Sequence, residues 1–227
     1  MKIAITRLED KAAGDRALCV KYGHDCYTVS PLRAELRQER IDAFVEAVHR
    51  GEFDCLFFAS ALPAALIAPR LERWPRVIAI GPKTAGVLRD SGIEAEVLPS
   101  FYSREFAPYL GDWLRGRTVG IPRADVPNPG LIEAIVAAGG VVREERVYAL
   151  VPTGTELAVE GADALLFTSA MSYREARWQP RDDLLHLAIG ETTADAMRAG
   201  GHPPAVVGDG SLAGTLGALN RYIVEGR

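Results

Sequence analysis

Short apolar runs alternate with amphipathic stretches along nearly the whole chain, and one such succession is written twice. The first copy runs Asp54–Ala61 (DCLFFASA), then Ala79–Ala85 (AIGPKTA), then Gly92; the second runs Asp163–Ala170 (DALLFTSA), then Ala188–Ala194 (AIGETTA), then Gly201. The register holds without a gap: Ser60 to Gly81 and Ser169 to Gly190 are both 21 steps. Each copy is an apolar run ending in a hydroxyl residue, a helical stretch, a second apolar run ending in Gly, and another helical stretch. That order predicts a βαβα unit, whose strand ends and helix N-termini gather on one edge of a sheet.

Between the copies the same alternation continues. Lys2–Thr6 predicts a short buried strand, Asp10–Tyr22 a helix closed by Gly23, and Asp25–Ser30 a second strand before Pro31 and the charged stretch Arg33–Arg40. Ile41, Phe44, Val45 and Val48 have helical spacing up to Gly51. In the first copy, Asp54–Ser60 and Val77–Ile80 are the strands, with helices Leu62–Leu71 and Thr84–Ser91. Glu96–Leu98 follows as a strand, then a helix capped by Ser103 to about Leu114, strand Thr118–Pro122, helix Pro129–Ala138 and the extended run Val141–Leu150. Beyond the polar link Pro152–Gly161 come the second copy, strand Ala205–Val207 and a last helix from Ser211.

The strand count predicts how these elements divide. The middle block has five candidate strands, enough for a small doubly wound sheet, whereas the block after Asp163 has three. Adding the two N-terminal strands brings the second sheet to five. The expected organisation is a discontinuous α/β domain of residues 1–30 plus 153–227, an inserted α/β domain of residues 37–145, and a two-stranded linker of 31–36 and 146–152. A contiguous split near residue 115 is the alternative topology. Two similar edges suggest a site between two domains.

Composition narrows the function classes. A hydrophobic fraction of 48% with 25% charged is that of a soluble globular protein. The net charge of −4, with Lys and Arg scattered, gives no footprint for nucleic acid. No apolar run approaches the ~20 residues that span a bilayer, so no membrane partner is expected. The opening residues turn charged too early for a secretory signal, and three cysteines without paired spacing suit a reducing, cytoplasmic setting. The four histidines lie far apart in sequence, so no metal site is expected. Gly208–Gly214 resembles a dinucleotide loop, but no strand follows it and it reads as a turn and cap.

What remains is a set of hydroxyls and glycines at expected helix starts: Ser60, Gly81 with Lys83 and Thr84, Ser103, Ser169, Gly190 with Thr192 and Thr193, and Ser211. Each suits a helix cap. Repeated at matching strand ends, they also suit an edge of N–H donors that binds anions, so a ligand with many carboxylates is expected. Arg7 and Arg123, each directly beyond an expected strand, would add charge at the rim, or Arg7 is a plain surface residue.

The Phe-x-Ser-Ala and Ile-Gly-x-x-Thr-Ala patterns, Leu98–Ser103 (LPSFYS), Thr6-Arg7, Pro122-Arg123, and Gly139-Gly140-x-Val142 leading to Val147-Tyr148 together resemble uroporphyrinogen-III synthase. Each motif is short; their order covers nearly the whole chain. The resemblance implies two flavodoxin-like parallel-sheet domains joined by a two-stranded linker, with no metal or organic cofactor. It places the family's linker tyrosine on Tyr148 and its paired threonines on Thr84 and Thr193. The implied reaction is cyclisation of hydroxymethylbilane to uroporphyrinogen III, with inversion of ring D and loss of water. Because the substrate closes unaided to the uninverted isomer, the protein has to control conformation rather than supply strong acids and bases. Tyr148 is then the candidate donor to the departing hydroxyl, or an interface residue that packs the linker. A monomer is expected, because motion of the lobes needs them free, with hand-over from the preceding pathway enzyme as a candidate contact. Ala59 replaces a frequent Thr of the family, and Glu191 replaces a usual Pro. The rival is a two-lobed anion or tetrapyrrole binding or sensor module without catalysis.

Overall fold

The computed structural model describes residues 1–8, 12 and 14–226. The chain divides into two compact units, Met1–Arg33 with Val151–Arg227, and Ala34–Leu150. The first holds a five-stranded sheet. Its strands are β1 (Lys2–Thr6), β2 (Asp25–Val29), β9 (Ala164–Phe167), β10 (Leu185–Ala188) and β11 (Val206–Val207), in the order β11-β10-β9-β1-β2. The six-stranded sheet contains β3 (Leu32–Leu36), β4 (Cys55–Phe58), β5 (Arg76–Ala79), β6 (Glu96–Val97), β7 (Thr118–Ala124) and β8 (Val141–Pro152), ordered β3-β8-β7-β4-β5-β6. The pairings β1·β2, β1·β9, β9·β10 and β10·β11, and likewise β4·β5, β4·β7, β5·β6 and β7·β8, are parallel. Both sheets therefore have the α/β character expected from the repeat. The chain passes between the units in β3 and β8.

The helices are α1 (Asp15–Lys21), α2 (Gln38–His49), α3 (Ala61–Ile67), α4 (Pro82–Arg89), α5 (Phe106–Leu110), α6 (Pro129–Ala137), α7 (Ala170–Glu175), α8 (Glu191–Ala199) and α9 (Leu212–Val224). Strands β4 and β9 are buried at every residue, which explains their unbroken apolar sequences. Alternate residues of β4 feed two different cores: Leu56 and Phe58 pack with the α2, α3 and α4 side chains, while Cys55 and Phe57 pack with those of α5 and α6. In the other sheet, Leu165 and Phe167 of β9 join Tyr173 and Met197, while Ala164 and Leu166 join Leu216 and Leu219.

The aspartate that opens each copy has a structural role that its sequence context did not announce. Asp54 N–H donates to the Thr118 carbonyl at 2.9 Å, and Thr118 N–H donates back to Asp54 Oδ2 at 2.8 Å. Asp163 repeats the arrangement: its N–H reaches the Lys2 carbonyl at 2.8 Å, and Lys2 N–H reaches Asp163 Oδ2 at 2.6 Å. Each carboxylate thus ties the start of a central strand to the start of its neighbour. The Thr118 amide, with the Arg117 guanidinium beside it, holds the Asp54 carboxyl below its usual range.

Two expected elements differ. The helix predicted from Asp10 begins at Asp15, and part of its expected first turn lies outside the described residues. The helix predicted from Ser103 to Leu114 is three pieces: a 3-10 turn at Ser103–Glu105, α5, and a 3-10 turn at Gly111–Leu114. Pro108 has no N–H to continue the ladder, and Gly111 turns out of it at φ 53°. Ser103 consequently is not a helix cap.

Replacing either aspartate should weaken the fold. Asp54→Ala and Asp163→Ala are each expected to lower stability by about 1–3 kcal/mol, the effect of stranding an N–H that had a charged acceptor. Urea denaturation measures this; unchanged midpoints in both variants would remove the aspartates from the account of register.

Candidate functional site

In the unit Ala34–Leu150, the sequence-predicted residues occupy the ends of β4, β5 and β7 and the helix starts that follow. Ser60 stands at the N-cap of α3 in extended conformation, yet its side chain makes no cap hydrogen bond. The usual acceptance would come from the third helical residue, which is Pro63 and has no N–H. Gly81 precedes α4, with the Phe101 ring beside it: a Cβ at Gly81 would lie 3.4 Å from that ring. Lys83 is exposed in the first turn of α4, while Thr84 one residue on is 3% exposed. Ser103 Oγ accepts from Asn128 Nδ2 at 3.2 Å, joining the segment after β6 to the start of α6.

Arg123 is placed differently from the expectation. It lies inside β7 rather than beyond it, its side chain is 12% exposed, and its guanidinium pairs with Glu144 of β8 and donates to the Val126 carbonyl. Glu144 is the register partner of Ile121, two residues before Arg123, so the charge is used within the sheet.

Tyr148 also departs from its expected geometry. Alternation along β8 predicted a side chain facing opposite to Val147. Both residues are buried, at 3% and 0% exposure, in the same apolar cluster. The register explains this: Arg123 pairs with Arg146 and Ala124 with Tyr148, so Val147 is an extra residue that resets the alternation. The Tyr148 carbonyl accepts from Asp125 N–H at 2.8 Å. Asp125 Oδ2 takes Arg37 Nη2 at 2.5 Å and its Oδ1 takes Arg146 Nη1 at 2.7 Å, and these pairings, Arg37 first, hold its carboxyl below the usual range. Asp125 was not among the residues singled out from sequence. A lone Asp after a strand carries no periodic signal.

In the other unit the matching positions are occupied internally. Arg7 Nη1 pairs with Asp15 Oδ1 at 2.9 Å, at the start of α1. Ser169 forms a capping box: its Oγ accepts from Ser172 N–H at 2.9 Å, and Ser172 Oγ accepts from Ser169 N–H at 3.1 Å. Thr6 Oγ1 donates to that network from β1, and Thr168 N–H donates to Thr6 Oγ1 at 3.1 Å. Gly190 lies against Gly210, whose Cα would be 3.3 Å from an added Cβ. Thr192 is exposed and Thr193 is 3% exposed. Ser211 caps α9, accepting from Gly214 N–H at 2.9 Å while donating to Asp209 Oδ1 at 2.7 Å.

The two edges therefore differ electrically. No acidic residue stands in the first turn of α3, α4 or α6. By contrast Asp15 opens α1, Glu191 opens α8, and the Asp209 carboxylate lies two residues before Ser211, the N-cap of α9. Carboxylates at a helix start satisfy its N–H groups and dipole, so those termini are already served by the chain.

Sequence distance also concealed an aromatic cluster. His186 and His202, apart in the chain, have ring centroids 5.8 Å apart and pack with Trp178 and Tyr173; Tyr173 Oη lies 2.9 Å from His202 Nδ1. The strand β10 and the turn after α8 bring them together. Burial first, then the neighbouring His202, lowers the pKa of His186. Burial pushes the thiol of Cys55 up to about 12 and raises those of Cys19 and Cys26, so all three are poor nucleophiles. Among the described residues no group of three His, Cys, Asp or Glu is placed to hold a metal ion, and no helix is long and apolar enough to cross a membrane.

Two α/β units with predominantly parallel sheets, and hydroxyls and glycines at the strand ends, define the class. A family model described as uroporphyrinogen-III synthase HemD matches residues 15–212. The chain belongs to the uroporphyrinogen-III synthase family and is an enzyme of tetrapyrrole biosynthesis. Solved structures agree on the fold. A uroporphyrinogen-III synthetase from Helicobacter pylori aligns with TM-score 0.65 at 17% identity over 97% of this chain and 98% of that one. A mutant uroporphyrinogen III synthase from Thermus thermophilus aligns with TM-score 0.54 at 20% identity over 99% of both. No match was found among curated protein sequences.

The contrast between the copies is measurable. Ser169→Ala should lower stability by about 1–2 kcal/mol, whereas Ser60→Ala should change it by only a few tenths (~0.3 kcal/mol), because Pro63 leaves no cap bond to lose. Equal losses in urea denaturation would refute the asymmetry.

A second expectation concerns pH. His24 is lowered by burial and by the N-terminal ammonium, His186 by burial and His202. Both folded pKa values lie below that of the unfolded chain, so protons bind the unfolded state first. Their contribution is present above about pH 6.5 and fades as pH falls below it. The urea midpoint should drop between about pH 7.5 and 5.5, a window above the range of the lowered carboxylates. His186→Asn should flatten the drop; an unchanged profile would contradict the assignment.

Proposed function

We propose that the chain cyclises hydroxymethylbilane to uroporphyrinogen III with loss of water and inversion of ring D. The observation that carries this reading, beyond family membership, is the edge formed by Ser60, Gly81 and Lys83. Its helix starts carry no acidic residue, α4 adds a lysine, and the Ser60 hydroxyl is left without a cap partner by Pro63. Such an edge suits acetate and propionate groups, which N–H donors and a hydroxyl bind without a dense cluster of cations. The α1, α8 and α9 starts, already bearing Asp15, Glu191 and Asp209, contribute less to carboxylate binding.

The chemistry asked of the protein is modest. The C–O bond of the terminal hydroxymethyl group breaks with a proton delivered to the leaving oxygen, so water departs and an azafulvene remains. The substituted α-carbon of ring D then attacks that electrophilic carbon, giving a spiro intermediate whose reopening and closure invert the ring. Holding the chain in this geometry is the main contribution, since the unassisted ring closure gives the uninverted product. Tyr148 is the proposed donor to the leaving hydroxyl, because a phenol retains its proton at neutral pH. Thr84 and Thr193, each 3% exposed as Tyr148 is, shape the first turns of α4 and α8.

The assay is the isomer formed from hydroxymethylbilane without added metal or cofactor: enrichment of type III over spontaneous type I supports the reading, and binding without isomer control sinks it. Tyr148→Phe should fold normally and turn over at least about tenfold more slowly. Tyr148→Ala should also lose about 3–5 kcal/mol of stability, because the ring fills a core. A wild-type rate and isomer ratio in Tyr148→Phe would leave the tyrosine with packing alone.

A further inference from the structure

The bulge that turns Tyr148 into the apolar cluster has Asp125 beside it. Asp125 follows β7, in the segment leading to α6. Its N–H donates to the Tyr148 carbonyl at 2.8 Å, while its two carboxylate oxygens take Arg146 of β8 at 2.7 Å and Arg37, just after β3, at 2.5 Å. Arg37 N–H in turn donates to the Val147 carbonyl at 2.9 Å. The carbonyls of the extra residue and of the tyrosine after it are thus both engaged, one by Asp125 and one by an arginine that Asp125 holds.

We infer that Asp125 is a positioning residue for Tyr148, fixing the bulge at Val147 and with it the face of the sheet to which the phenol points. A strand that slips by one residue sends each side chain to the opposite face, so the register here decides where the hydroxyl stands. An extra residue is free to migrate along a strand unless its flanking carbonyls are tied. The carboxylate ties them from outside the strand: it fixes Arg146 one residue before Val147, and through Arg37 it fixes Val147 itself. A plain surface ion pair would join one cation to one anion and leave the backbone alone. Here two guanidinium groups from different strand segments meet one carboxylate whose own N–H is bound to the reacting residue. Side chains 27% (Asp125), 38% (Arg37) and 55% (Arg146) exposed add little to global stability, so the arrangement acts on geometry.

This inference rests on the reading of Tyr148 as the proton donor, and a double-mutant cycle separates the two. Asp125→Asn keeps the volume and the main-chain donor but removes the charge that gathers both arginines. It should lower kcat about tenfold with KM little changed, raise the share of type I product, and leave the urea midpoint near that of the wild type. Combined with Tyr148→Phe it should add no further loss, since both changes remove the same placed hydroxyl. Arg146→Gln, which removes one of the two cations, should give a smaller loss in kcat of the same kind. A normal kcat in Asp125→Asn, or losses that multiply in the double variant, overturns the positioning role while leaving Tyr148 in place. Should Asp125→Asn unfold, the same cycle run with Arg146→Gln decides by the same criteria. A wild-type rate in Tyr148→Phe overturns both assignments.

Discussion

The register of each sheet depends on an aspartate that binds the neighbouring strand through both its main chain and its side chain. Asp54 joins β4 to β7 and Asp163 joins β9 to β1 with the same reciprocal pair of bonds. The consequence is large because β4 and β9 are buried on both faces. Each contributes alternate residues to two separate cores, so a one-residue slip would exchange the contents of both. Apolar burial supplies the driving force, but it does not distinguish one register of an all-apolar strand from the next. A charged acceptor at the strand start does.

With register fixed, the parallel order carries the ends of the parallel strands to one edge of each sheet, where the repeat places its hydroxyls and glycines. There the two copies part. Ser169 and Ser60 are matched in sequence and in backbone conformation, both extended N-caps, yet one hydroxyl is consumed by a capping box and the other has no cap bond. The difference comes from the third helical residue, Ser172 in one copy and Pro63 in the other. Added to it are Glu191 against Pro82 at the first helical position, and Asp209 before α9. Two edges of common design thereby differ in the hydroxyl bonds and acidic residues at their helix starts.

The β8 strand shows burial and chemistry acting on the same residue. Tyr148 fills part of an apolar cluster together with Val147, an arrangement that ordinary strand alternation forbids and a bulge permits. The arginine-rich surroundings of that bulge are used internally as well: Arg37, Arg123 and Arg146 all have carboxylate partners.

The α/β class, the element order and the repeat were legible in the sequence, because a buried parallel strand must be apolar throughout and its following helix must be amphipathic. The positions of Ser60, Gly81, Ser169, Gly190 and Ser211 at strand ends were legible for the same reason. The division of the helix expected from Ser103 was also written locally, in the segment that holds Pro108 and Gly111. Two things were decided only by tertiary structure. Arg123, expected to add charge at a rim, lies inside β7 and pairs with Glu144 of the parallel neighbour β8. Tyr148 faces the same way as Val147 because β7 and β8 pair with a shift, and a shift is a property of two strands together. Period and composition describe what each segment buries; which donor meets which acceptor depends on residues brought together from distant parts of the chain.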